Sequence, residues 1–202
     1  MDHRAFLLAL RETSIRFAPF LCVVLMTALP TAAAVAAETM QAEEQCPKGA
    51  VSDMPDAVRQ SSDEQIGTSW FHDKSTTERA SENAFYLYVG KKGCDVWLRL
   101  RIQYLSDKPL TVTRVQIKAD EKTFDLVDPH FKRDSDGKLT WQWYDELVTP
   151  DHLLMLFKVT ASKSALLRFM SANRTEERTI PDVEKDALKN ILGAYHTLGG
   201  KL

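Results

Sequence analysis

Hydrophobic and polar positions alternate with a period of two through the middle of this chain and change to a helical period near its end. Between Cys94 and Leu105, the side chains of Leu98, Leu100, Ile102 and Tyr104 fall on one face of an extended strand, and those of Trp97, Arg99, Arg101 and Gln103 on the other. Leu110 to Lys118 repeats the alternation, with Val115 and Ile117 opposite Arg114, Gln116 and Lys118. Further strands are predicted at Gly67–Phe71, Ala84–Val89, Thr123–Val127, Phe131–Arg133, Leu139–Tyr144 and Ser164–Met170. Turn chemistry separates them at Gly90–Gly93, Ser106–Pro109, Ala119–Lys122 and Asp134–Gly137. Consecutive strands joined by short turns predict an antiparallel meander.

Two segments read as helices. Thr149-Pro150 supplies a cap and a first-turn proline, and Asp151 follows as an early acid, so a helix should run to about Ala161. Near the C-terminus, Asp182 and Glu184 favour the positive end of a helix dipole. Val183, Ala187, Ile191, Ala194 and Leu198 form a stripe at helical spacing, ended by Gly199-Gly200. Lys185, Lys189 and Glu184 lie opposite the stripe and read as a solvated face. Strands first and helices late define an α+β class: an antiparallel, strand-rich sheet backed by the C-terminal helix and one further helix.

The N-terminus has a different pattern. Arg4, Arg11 and Arg16 precede an apolar run from Phe17 to Leu29, Pro30 breaks it, and small residues lead to Ala34-Val35-Ala36-Ala37. This is the order of a secretory signal peptide, with cleavage expected after Ala36 or Ala37. Phe17 to Ala37 approaches bilayer-spanning length, but Pro30 and the alanine tail argue against an uncleaved anchor. Cys22 follows Leu21 where a lipidation site needs a small residue, so no lipid anchor is expected. No later segment is long and apolar enough to span a membrane. The expected organisation is a signal peptide at 1–37, a polar N-terminal arm at 38–66 with room for one short helix, and a single α+β domain at 67–202. The expected location is the periplasm or the exterior.

The mature chain of about 165 residues suits one core. Losing Arg4, Arg11 and Arg16 from 26 basic residues, and Asp2 and Glu12 from 28 acidic ones, leaves 23 against 26. A net charge near −3 does not suit a nucleic-acid binder. Cys46 and Cys94 remain, and two cysteines in an exported chain read as one disulfide tying the arm to a strand edge. Closing a loop of that length stabilises by about 4 kcal/mol in the chain-entropy account. The pair lacks C-x-x-C spacing, which argues against redox catalysis.

Four stretches, Gly67-Thr68-Ser69-Trp70-Phe71, Trp97 to Tyr104, Trp141-Gln142-Trp143-Tyr144-Asp145, and Ala194-Tyr195 before Leu198-Gly199-Gly200, resemble a domain of uncharacterised exported bacterial proteins. The resemblance spans roughly Gly67 to Leu202. It implies a single module and carries no site residue with it.

The residues that bear on chemistry are few. Trp97, Arg99, Arg101, Arg114 and Lys118 form the candidate binding set. If Ser106–Pro109 is a simple hairpin turn, Arg101 faces Arg114, Arg99 faces Gln116 and Trp97 faces Lys118. A second hairpin pairing Lys118 with Thr123 would bring Asp125 beside Gln116, within reach of the arginines. Such a face is either a solvated charge network or an anion-binding surface with Trp97 as a stacking platform. Trp141 and Trp143 share one strand face and Gln142 and Tyr144 the other, as core or as an aromatic surface. Asp134-Ser135-Asp136-Gly137 fits a tight turn better than a calcium loop. His72, His130, His152 and His196 show no metal-ligand spacing, and neither a phosphate loop nor a dinucleotide fingerprint occurs. Asp145 and Glu146 are adjacent on a strand and point to opposite faces, a poor dyad. No cofactor or metal is expected. These readings favour an exported binding or accessory module for an envelope protein or an anionic glycan. The alternative is an envelope hydrolase whose site is assembled from distant residues.

Overall fold

The computed structural model describes residues 53–201 except 107, 109, 127 and 128. The expected signal peptide and Cys46 lie outside the described residues. Among the described residues no helix is long and apolar enough to cross a membrane.

The alternating segments fold into ten strands, and the two helical segments into two helices. The strands are β1 (Val58–Asp63), β2 (Thr68–Asp73), β3 (Ala84–Lys92), β4 (Asp95–Ser106), β5 (Arg114–Ala119), β6 (Lys122–Leu126), β7 (Lys132–Ser135), β8 (Thr140–Leu147), β9 (Ala165–Met170) and β10 (Thr175–Thr179). The helices are α1 (Pro150–Ala161) and α2 (Asp182–Thr197). All pairings are antiparallel. One sheet has the order β1-β2-β3-β4-β8-β7 and the other β10-β9-β5-β6. The α+β class holds.

A single continuous meander does not. The chain leaves the larger sheet after β4, and β5 enters the smaller one between β9 and β6. Leu110 and Val112 are buried on the way. The Gln142 side chain, itself buried, accepts from the Val112 amide at 3.1 Å and donates to the Leu110 carbonyl. Burying an amide side chain is tolerated when its donor and acceptor are both used. The edge of β4 that would have taken β5 is occupied by β8 instead, with Arg101 opposite Asp145.

The inner faces and the helices share one core. Phe71, Phe85, Leu87, Leu100 and Ile102 of the larger sheet join Val115, Ile117, Leu167 and Phe169 of the smaller. Met155, Leu156 and Val159 of α1 and Leu188 and Ile191 of α2 complete it. Tyr104 and Phe169 meet across the two sheets with ring centroids 4.6 Å apart. Each such side chain stabilises by about 1.5–3 kcal/mol relative to exposure. Helix α2 packs across β1 to β4 and touches α1, which reaches β5.

Both helix boundaries follow from local chemistry. Thr149 Oγ1 accepts from the His152 amide at 3.3 Å, and His152 Nδ1 accepts from the Thr149 amide at 3.2 Å, a reciprocal cap ahead of Pro150. At the end of α2, Gly199 adopts φ 93°. Its amide donates to the His196 carbonyl, and that of Gly200 to the Tyr195 carbonyl, as a glycine-terminated helix requires.

Three local expectations are corrected. The segment before Gly67 contributes a strand, β1, at the edge of the larger sheet. Val183 is 55% exposed, whereas Ala187, Ile191, Ala194 and Leu198 are buried as expected and Leu188 and Leu192 join their stripe. Lys185, expected in solvent, is 5% exposed; its ammonium donates to Asp182 at 2.9 Å and to the carbonyls of Ser162 and Lys163 at 3.2 and 3.4 Å. These carbonyls follow the negative end of α1, where a cation is favoured. Glu184 is likewise drawn in, paired with Arg178 at 2.9 Å and accepting from the Phe85 amide.

Candidate functional site

The outer face of the larger sheet is built by the alternation that buries its inner face. Lys92 pairs with Asp95 across a tight turn at Gly93, and that register fixes everything behind it: Gly90 opposite Trp97, Tyr88 opposite Arg99, Tyr86 opposite Arg101. On the next strand, Trp70 pairs with Gly90 and His72 with Tyr88. On the other side, β8 sets Asp145 opposite Arg101 and Trp143 opposite Gln103. The result is one continuous surface of aromatic rings and guanidinium groups.

Its centre is a charge cluster of two arginines and one carboxylate. Arg99 Nε donates to Asp145 Oδ1 at 2.8 Å, and Arg101 Nη1 to Asp145 Oδ2 at 2.9 Å. Asp145 is 12% exposed, and the two arginines 26% and 19%. The Tyr88 hydroxyl accepts from Arg99 at 2.9 Å and donates to Asp145 at 2.7 Å. Burial opposes the charge on Arg99, but Asp145 and Tyr88 outweigh it and raise its pKa. Burial and the Asp145 carboxylate raise the Tyr88 phenol, and burial pushes Tyr86 up to about 12, so both rings stay protonated at neutral pH. Two cations sharing one anion leave this cluster with one unit of positive charge.

Rings frame the cluster. Trp97 lies across Gly90: a Cβ on that glycine would sit 2.2 Å from Cε2, and 2.4 Å from both Cζ2 and Nε1, of the indole. Only a residue without a side chain allows an indole to rest on the strand in this way. Trp70 meets Trp97 edge-on at 5.7 Å and 88°. His72 stacks on Tyr88 at 5.1 Å and 6°. The Arg101 guanidinium lies 5.6 Å from the centre of the Trp143 ring, a cation–π contact.

A cleft of about 560 Å³ opens beside the cluster, floored by His72, Tyr86, Arg101 and Gln103 and walled by Thr77 and Glu78. This is within the size range of ligand clefts. The wall is the segment after β2, fastened at two points. Arg59 Nη1 donates to the carbonyls of Asp73 and Thr76 at 2.8 and 3.2 Å, while its Nε pairs with Glu78 at 3.3 Å. Gln103 Nε2 donates to the carbonyls of Arg79 and Glu82, both at 3.0 Å, while its Oε1 accepts from Arg101 Nε at 2.7 Å. Burial, reinforced by the Arg59 charge, lowers His72 from its usual 6.5 to about 4, so the imidazole in the cleft is neutral at pH 7.

Of the five residues expected to form a binding set, Trp97, Arg99 and Arg101 come together here. Arg114 and Lys118 do not join them, because β5 belongs to the smaller sheet. The second hairpin has the expected register: Lys118 pairs with Thr123, and Gln116 with Asp125. There Arg114 pairs with Asp125 at 2.8 Å, and Gln116 donates to the same oxygen at 2.9 Å, an internally neutralised face. Asp145, rather than Asp125, offsets Arg99 and Arg101.

Trp70, His72, Tyr86, Tyr88, Asp145 and Trp143 extend the site beyond the expected set. The signal for Tyr86 and Tyr88 was the Gly93 turn, which pairs β3 with β4 residue by residue; the other four come from β2 and β8, which that turn does not place. Gln142 and Tyr144 are core, while Trp141 and Trp143 are half-buried on the outer side. In the Asp134–Gly137 segment, Asp136 accepts from the amides of Lys138 and Leu139 at 2.9 and 2.8 Å, and Asp134 from that of Ser135. Those carboxylates hold a turn. Comparison with protein-family models, with curated proteins and with solved structures finds no match to this chain.

Proposed function

We propose that this chain is an exported, non-enzymatic binding module whose larger sheet presents an anionic glycan-binding face. The leader at 1–37 motivates export to the periplasm or beyond, and the Cys46–Cys94 disulfide belongs to the same proposal. One observation carries the binding reading: the Arg99–Asp145–Arg101 cluster holds one uncompensated positive charge within a frame of aromatic rings. Arginine recognises carboxylates with directed, charge-assisted bonds, and flat rings pack against the apolar faces of sugars. A surface charge of about one unit suits a singly charged group better than a polyphosphate, consistent with the overall acidity of the mature chain.

Calorimetric titration of the mature chain with carboxylated and neutral polysaccharides tests this. Binding to the carboxylated ones is expected, and its loss when Arg99 and Arg101 are both changed to Gln, with unfolding curves showing both proteins folded. Capture of a stoichiometric protein from crosslinked envelopes, with no glycan bound, would replace the glycan by a protein partner. Release of reducing ends from the same polysaccharides would replace the binding reading by the hydrolase.

A further inference from the structure

We infer that the ligand of this face is a linear uronic-acid oligosaccharide lying along β4, with one ring stacked on Trp97 and the carboxylate of a ring further along held by Arg101 in the cleft. The inference rests on the glycan reading above and adds the class of sugar, its direction and a division of labour between two subsites.

Three features carry it. First, the Trp97 indole lies across Gly90, so one of its faces is against the strand and the other is turned away from it. The edge-on contact with Trp70 fixes that orientation. A fixed, outward-turned indole is a stacking platform, and it favours a ring over an extended peptide.

Second, Arg101, which lines the cleft, retains donor capacity. Its Nε is taken by Gln103 and its Nη1 by Asp145, which leaves Nη2. Arg101 lines the cleft together with the Tyr86 hydroxyl, whose one contact, to Gln103, is long at 3.4 Å. These two donors, beside a neutral His72, can satisfy one carboxylate. The acid at the rim, Glu78, is already held by Arg59. The Arg99–Asp145–Arg101 cluster supplies a single unit of charge, which one carboxylate balances and a doubly charged phosphate exceeds.

Third, the two subsites are collinear and well apart. Trp97 and Arg101 are four residues apart on the same face of one strand, about 13 Å at the usual rise per residue. One sugar ring cannot occupy both. An oligosaccharide can, and coupling two weak sites through one ligand raises affinity above either alone.

The test is calorimetric titration of the mature chain with four probes: hexameric oligogalacturonate, its full methyl ester, monomeric galacturonate and hexaglutamate. The acid hexamer should bind wild type at least about tenfold more tightly than the ester, and about a hundredfold more tightly than the monomer. R101Q should erase the difference between acid and ester. W97A should weaken both by a similar factor of about ten and leave their ratio intact. R101K, which keeps the charge but loses the fork that spans Asp145 and a ligand, guards against a folding defect in R101Q and should also narrow the ratio. An unchanged ratio in both Arg101 variants, a monomer as tight as the hexamer, or hexaglutamate binding as tightly as the sugar would overturn this inference while leaving the face a binding surface. Wild type binding neither form of the hexamer nor any other carboxylated polysaccharide would remove the glycan reading itself.

Discussion

Gly90 shows how one residue can decide the character of a whole surface. Its missing side chain is the space that Trp97 fills, and any larger residue there would lift the indole off the strand. Gly90→Ala should destabilise the fold by about 1–3 kcal/mol, because an ordinary Cβ would fall 2.2 Å from a rigid ring. Denaturant unfolding followed by tryptophan fluorescence checks this. A double-mutant cycle with Trp97→Ala should recover most of the loss, since the clash needs both residues. His72 makes a second case, and its sign can be worked out. Burial and Arg59 lower its folded pKa to about 4 from an unfolded value near 6.5. Above pH 6.5 the imidazole is neutral in both states and its stabilising contribution is complete. Between 6.5 and 4 the unfolded chain takes up a proton that the folded chain refuses, so stability falls with pH, by roughly 2–3 kcal/mol at most. The difference between wild type and His72→Phe, measured by urea unfolding across that window, should show this slope. A flat difference would mean that His72 is protonated as readily folded as unfolded.

Among the elements, the helices and the tight hairpins were legible in the sequence, and the longer-range strand partners were not. Thr149-Pro150 and Gly199-Gly200 mark boundaries through local chemistry, which is why both helices fall where the pattern puts them. Strand positions also follow from local alternation, and β4 keeps both of its expected faces. Partner choice is a long-range matter. The turn after β4 gives no sign that Gln142, more than thirty residues on, will hold Leu110 and Val112 and direct β5 into a second sheet. Hence the Arg101–Arg114 juxtaposition fails while Lys118–Thr123, set by a short turn, succeeds. β10, with the sequence TEERT, has no apolar alternation to read and is ordered by pairing with β9. Lys185 was misplaced for a similar reason: helical spacing alone does not reveal that the end of α1 lies over that position. Lys185→Met should cost about 1–3 kcal/mol, since the Ser162 and Lys163 carbonyls lose their buried donor. Chemical denaturation measures it, and a neutral result would mean that water replaces the ammonium there.

At the scale of the molecule, the two sheets and two helices share a core, and the outer face of the larger sheet rests on it. Residues of both sheets, α1 and α2 belong to one buried cluster, and Tyr104 and Phe169 join the sheets directly. The four tryptophans sample this arrangement unevenly. Trp70, Trp97, Trp141 and Trp143 all lie on the larger sheet, whereas far-ultraviolet circular dichroism reports on every strand and helix. If the shared core couples the sheets, urea transitions followed by the two signals should coincide, with the same midpoint and slope, as for one cooperative unit. A fluorescence transition at lower urea would mean that the outer face and its cleft open before the rest. The proposed site would then be assembled on a locally unstable layer, and preorganisation of Trp97 and Arg101 could not be the source of the proposed affinity. Coincident transitions would instead support a rigid platform, held from below by Phe71, Phe85 and Leu100 and from the side by the fastened segment between β2 and β3.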